Sequence, residues 1–153
     1  MAKKDLVSDL KQKAKELRKD VLAMIYNAQS GHPGGSLSAI DMIVGLYYYK
    51  LRVDPKNPLW QDRDRFVLSK GHCSPAIYAV LADKAFFPKS ELDGYRKINK
   101  MLQGHPELSI PGIDFAGGAL GQGISFALGI ALACRLDKKN CGVYAMIGDG
   151  EMQ

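Results

Sequence analysis

The sequence predicts an α/β fold in which a mainly parallel sheet is flanked by helices. Three observations carry that reading. Segments with helical periodicity alternate with short apolar runs at 66–68 and 143–147, whose length suits strands. Each run leads into a glycine-bearing turn, "SKGHCSP" after the first and "GDG" after the second. The composition, 46% hydrophobic and 24% charged over 153 residues, is that of a globular chain with one sizeable core. No internal repeat, low-complexity tract or dividing linker interrupts it, so residues 1–153 read as a single domain.

Taken in order, Leu6, Leu10, Ala14, Leu17, Val21, Met24, Ile25 and Ala28 step by three and four, which predicts a long amphipathic helix over 5–29. "SGHPGGS" at 30–36 breaks it. Ser36 or Ser38 is expected to cap a second helix through Leu51, with Ile40, Ile43, Val44 and Tyr47 on its apolar side. "VDPKNPLWQDRDR" is a polar loop before the first strand, and a helix from Pro75 to Lys84 follows that strand. "SELD" at 90–93 has the form of a capping box and predicts a further helix there. Residues 98–119, rich in glycine and proline, form a long loop of the kind that often carries function. Residues 120–136, "LGQGISFALGIALACRL", are apolar nearly all round, so this helix is expected to lie buried between layers. Ala127, Leu128, Ile130, Ala131 and Leu132 should then be almost inaccessible.

Net charge is +5, with much of the excess near the N-terminal end, where the signs interleave as on a solvated helix face. No aromatic platform accompanies those charges, which argues against a nucleic-acid surface. No apolar stretch has the length of a membrane helix, and the first residues lack the apolar core of a secretory signal. The chain is therefore read as cytoplasmic. Cys73, Cys134 and Cys141 are odd in number and form no CxxC pair, so reduced thiols in or near the core are expected.

The chemistry concentrates in glycine-flanked turns. Gly148-Asp149-Gly150 follows the second strand, but a full dinucleotide fingerprint would need glycine or alanine where Gln153 stands. A carboxylate between those glycines would repel a bare diphosphate and makes sense if a divalent cation bridges the two. A tight turn with an exposed Asp149 remains open on spacing alone. The three histidines, His32, His72 and His105, each follow a glycine in a predicted loop. Glycine lets a backbone approach a ligand closely, and imidazoles exchange protons near neutral pH. No pair of them has the short spacing of a zinc site. "AGGALGQGISF" at 116–126 opens the apolar helix with several glycines. It lacks a preceding strand for a dinucleotide motif and the last glycine of a nucleophile elbow.

Together "SGHPGGSLSAID", "DRFVLSKGHCSPAIYAVL", "GHPE", "GIDFAGGALGQGISFALGIALA" and "IGDGEMQ" resemble the N-terminal, thiamin-diphosphate-binding part of transketolases, in unbroken order over about residues 10–153. The resemblance is greatest to the separate N-terminal subunit of split transketolases. It implies the thiamin-diphosphate-binding form of the α/β fold, incomplete at its C-terminal side. Asp149 matches the family's Mg²⁺ ligand (or that of another divalent cation), and Gly150 completes the same motif. His72 matches a histidine close to the cofactor's diphosphate. Gly118, Leu120 and Gly121 match the loop that holds the cofactor through backbone groups. His32 and His105 match catalytic histidines of the substrate channel. Ala119 stands where the long single-chain enzymes often have proline.

The resemblance also implies an asparagine that completes the metal site and a glutamate soon after the GDG, both expected beyond Gln153. A pyrimidine-binding C-terminal subunit would supply the glutamate that activates the cofactor. The activity implied is transfer of a two-carbon ketol unit between sugar phosphates in an oligomer, with the lone chain inactive. No nucleic acid or membrane is expected as partner. The alternatives are a non-catalytic interaction module and part of a deoxyxylulose-phosphate-synthase-like enzyme. His32, His72, His105 and Asp149 are expected to border one cleft at the C-terminal ends of the strands.

Overall fold

The apolar stripe at the start of the chain forms α1 (Lys3–Ala28) in the computed structural model, which describes residues 3–153. Ala14, Leu17, Val21 and Met24 from that stripe are buried. Left-handed Gln29 and Gly31 end the helix. Helix α2 (Pro33–Gly45) starts earlier than Ser36, because proline in the first turn has no backbone N–H to leave unpaired. A π-helical turn, Leu46–Lys50, prolongs it to the expected end. Strand β1 (Arg65–Leu68) leads through a 3₁₀ turn, Gly71–Cys73, into α3 (Ser74–Asp83), which is buried along its length up to Ala82. After the long loop come α4 (Gln122–Leu136) and strand β2 (Val143–Met146).

The strands pair in parallel, Arg65 against Val143 through Leu68 against Met146. Side chains alternate across a strand. Phe66 and Leu68 thus join the core built by α1, α2 and α3, while Val67 and Ser69 turn toward α4. Helix α4 lies close on that second face: a Cβ at Gly123 would stand 2.7 Å from the Ser69 Cα. The buried pair Arg63–Asp114 (2.6 Å) anchors the long loop to the start of β1, where Asp114 also accepts the Phe66 N–H.

Three expectations are corrected. The segment at "SELD" is a short 3₁₀ helix, Lys89–Gly94, with only Leu92 and the Tyr95 that follows it reaching the core. Helix α4 is not buried all round. Gly123 and Ala127 are covered, but Leu128 is 61% and Leu132 51% exposed, and Ala131 is exposed too. The two-stranded sheet covers one stripe of the helix, and no described element lies over the other side. Finally, Cys134 and Cys141 form a disulfide, while Cys73 is free and buried. Left-handed Lys138 reverses the chain after α4 and brings the two cysteine Cα atoms to 6.5 Å, a proximity that linear spacing conceals.

Candidate functional site

Three segments meet beyond the C-terminal ends of the parallel strands, where open α/β sheets carry their ligand crevices. They are the turn after β1 (69–73), the loop before α4 (117–121) and the GDG turn after β2. Their meeting requires close backbone approach. A Cβ on Gly71 would lie 3.0 Å from the carbonyl carbon of Gly117 and 3.3 Å from the His105 ring. Only glycine allows that contact without displacing one of the loops.

A carboxylate ties the segments together. Glu151 accepts hydrogen bonds from the Ser69 hydroxyl (2.6 Å), the Gly121 N–H (2.9 Å) and the Gly148 N–H (2.7 Å). Burial pushes its carboxyl up, but these three donors, with His72 nearby, outweigh that and hold it below the usual glutamate range. The sequence signal was plain, since Glu151 directly follows Gly150. The expectation that the glutamate after the GDG lies past Gln153 is corrected accordingly.

The cleft behind this latch, about 220 Å³, is lined by Lys70, His72, Leu120, Gly148, Asp149, Gly150 and Glu151. Lys70 is a second residue that sequence reading passed over, although a lysine beside Gly71 is a ready anion donor. Burial lowers the His72 pKa, and the neighbouring His32, Lys70 and His105 lower it further. This favours the neutral imidazole of His72, which can donate one N–H and accept at the other nitrogen.

The four polar residues expected in one cleft are drawn together around the 69–73 turn, but only His72 and Asp149 line the same hollow. His32 packs edge-on to His72 with ring centroids 5.2 Å apart. Asp149 shares the smaller cleft with His72. His105 touches the Gly71 turn and lines an adjoining cleft of about 400 Å³ with Ala28, Ser30, Arg96, Gln103 and Gly104. Of the loop before α4, Leu120 lines the smaller cleft and Gly118 lies exposed at the outer bend. Gly121, left-handed at φ 84°, gives its N–H to Glu151 and so keeps only its carbonyl for a ligand.

These residues fit a diphosphate joined to a hard divalent cation. Lys70 and the His72 N–H suit the anion, and exposed Asp149 offers an oxygen to the metal. A Cβ on Gly150 would meet nothing within 4 Å, so the turn leaves room for close approach. Among the described residues no group of three or more His, Cys, Asp or Glu could hold a metal by itself. The remaining oxygens would come from diphosphate and water.

Residues 10–153 match the family described as "Transketolase, thiamine diphosphate binding domain". One of the subunits of the apulose-4-phosphate transketolase of Phocaeicola vulgatus is 39% identical over 145 residues, covering 95% of this chain and 52% of that protein. The 6-deoxy-6-sulfo-D-fructose transketolase subunit of a Clostridium species is 45% identical over 144 residues, covering 94% and 52%. The crystal structure of transketolase from Campylobacter jejuni superposes with a TM-score of 0.89 at 35% identity, over 94% of this chain and 24% of that one. The chain spans about half the length of the two subunit relatives.

Proposed function

The chain belongs to the transketolase family through its thiamine diphosphate-binding domain, and from that premise we propose that it is the cofactor-binding part of a two-subunit transketolase. The reaction is transfer of a two-carbon ketol unit between sugar phosphates. The observation that carries this reading is the cleft in which two anion-binding side chains, Lys70 and His72, share a wall with the metal-type carboxylate Asp149.

When bound, thiamine diphosphate with Mg²⁺ supplies the carbon nucleophile and the electron sink for this chemistry. The chain's own residues bind and orient. Lys70 and the neutral His72 hold the diphosphate end, Asp149 gives an oxygen to the metal, and Gly150 keeps that turn open. Gly118, Leu120 and the Gly121 carbonyl form the rim on the α4 side. His32 and His105, on either side of the 69–73 turn, hold sugar hydroxyls and shuttle a proton at an imidazole nitrogen. The partner is a pyrimidine-binding subunit, as the "subunit" names of the two relatives suggest. A working oligomer combines both, in the cytoplasm and within pentose phosphate metabolism, and the lone chain does not turn over.

Ketol transfer from a ketose phosphate to an aldose phosphate should be measured for the chain alone, then with the rest of the binding domain and a pyrimidine-domain partner. Activity is expected only in the complemented mixture. There Asp149→Ala should reduce it at least 100-fold, about 3 kcal/mol of lost metal–diphosphate positioning. Turnover by the lone chain, or full activity of Asp149→Ala, would refute the assignment.

A further inference from the structure

The larger cleft holds a guanidinium that the ketol-transfer reading leaves without a task. Arg96 is left-handed at φ 57°, an uncommon conformation for a long side chain and one that persists where the surroundings impose it. Its backbone N–H donates to the Leu102 carbonyl at 2.8 Å. Its Nε donates to the Tyr95 hydroxyl (3.1 Å) and its Nη1 to the Ser30 hydroxyl (2.9 Å). Ser30 lies just before Gly31-His32, while the guanidinium rests on Gly104, where a Cβ would stand 2.8 Å from Nη2. The fork therefore bridges the His32 and His105 loops.

Both partners of this fork are neutral hydroxyls. The described ion pairs engage Arg18, Arg52, Arg63 and Arg65, and none engages Arg96. Of its five N–H groups, those of Nη2 and one of Nη1 remain for a ligand. A pre-positioned guanidinium without a carboxylate, at the wall of an open cleft, has the donor geometry for an oxyanion.

We propose that Arg96 receives a tetrahedral oxyanion, the phosphate or sulfonate group of a sugar, at the outer wall of the His105 cleft. Only the sugar depends on the transketolase reading, because the anion site itself rests on the geometry.

The test is titration of this chain with inorganic phosphate, followed by the Arg96 Nε–Hε and His105 imidazole NMR signals. Both signals should move together, and methanesulfonate should produce the same pattern, whereas a neutral pentose should leave Arg96 unmoved. Arg96→Met should weaken phosphate binding roughly tenfold or more, the scale of a lost charge-assisted pair. Arg96→Lys keeps the charge without the fork and should fall between. Should Arg96→Met fail to fold for want of its Ser30 and Tyr95 contacts, Arg96→Lys carries the same comparison. Lys70→Met removes the cation of the neighbouring cleft and should leave the Arg96 response intact. Phosphate affinity unchanged in Arg96→Lys, or an Arg96 response abolished by Lys70→Met, would overturn the proposal. No ketol transfer is measured, so failure of the complemented assay leaves this inference standing, and failure here leaves the transketolase reading standing.

Discussion

Removing the Glu151 carboxylate should loosen the whole site, and the structure sets the scale. In Glu151→Ala the Ser69 hydroxyl and the Gly121 and Gly148 N–H groups lose their acceptor together. Ser69 is fully buried, so its hydroxyl bears the desolvation cost of an unmade bond, about 1–3 kcal/mol. The two glycine amides are partly exposed, and water can replace much of what they lose. The sum, discounted for that exposure and for coupling among the three bonds, is about 2–4 kcal/mol. Glu151→Gln keeps a carbonyl acceptor without the charge and should cost about half as much. Native-state hydrogen exchange at Gly121 and Gly148 is the direct readout, with denaturant unfolding for the global share. The sign with pH follows from the lowered carboxyl. The stabilisation is complete above the ordinary glutamate value of 4.5 and is lost as pH falls through the lower folded value. Unchanged protection of both amides in Glu151→Ala would refute the latch.

Two further predictions concern the frame around the site. Leu128, Leu132 and Leu136 are 61%, 51% and 82% exposed along α4, and an apolar stripe of that kind drives association. Leu128→Glu combined with Leu132→Glu should shift the chain toward monomer in light scattering with little change in unfolding midpoint, and unchanged association would show that the contact lies elsewhere. The Arg63–Asp114 pair is 8% and 7% exposed, so Asp114→Ala leaves an uncompensated guanidinium and should cost about 3–5 kcal/mol in denaturant unfolding. A loss below about 1 kcal/mol would mean that water already reaches the pair.

The parts legible in the sequence are those written in local periodicity. The stripe through Ala14, Leu17, Val21 and Met24 gave α1, and the short apolar runs gave both strands, because each needs only its own spacing to be read. Glycine-flanked histidines likewise pointed to the turns that now gather around Gly71. What escaped depends on contacts between distant segments. "SELD" has the letters of a helix start, but its two core-reaching side chains, Leu92 and Tyr95, support only a short 3₁₀ helix. Helix α4 is apolar on every side, and its letters alone do not say which side is covered. The Cys134–Cys141 pairing depends on a left-handed residue between them. Glu151 shows its role only when Ser69 and Gly121, far back in the chain, are seen at its carboxylate.

The position of the 69–73 turn explains why the two clefts are held in a fixed relation to each other. Ser69 leaves β1 bonded to Glu151, so the end of the first strand is fixed to the turn after the second. Gly71 lies under Gly117 and against His105, which sets the depth of the long loop relative to the strands. His72 then lines the smaller cleft together with Asp149 and carries His32 on its edge. Parallel pairing fixes Leu68 opposite Met146, so neither turn can slide without breaking the ladder. The spacing between the His72–Asp149 cleft and the His105 cleft is therefore set by backbone packing at glycine, not by flexible side chains. Such preorganisation spares the ordering cost that ligand binding would otherwise incur.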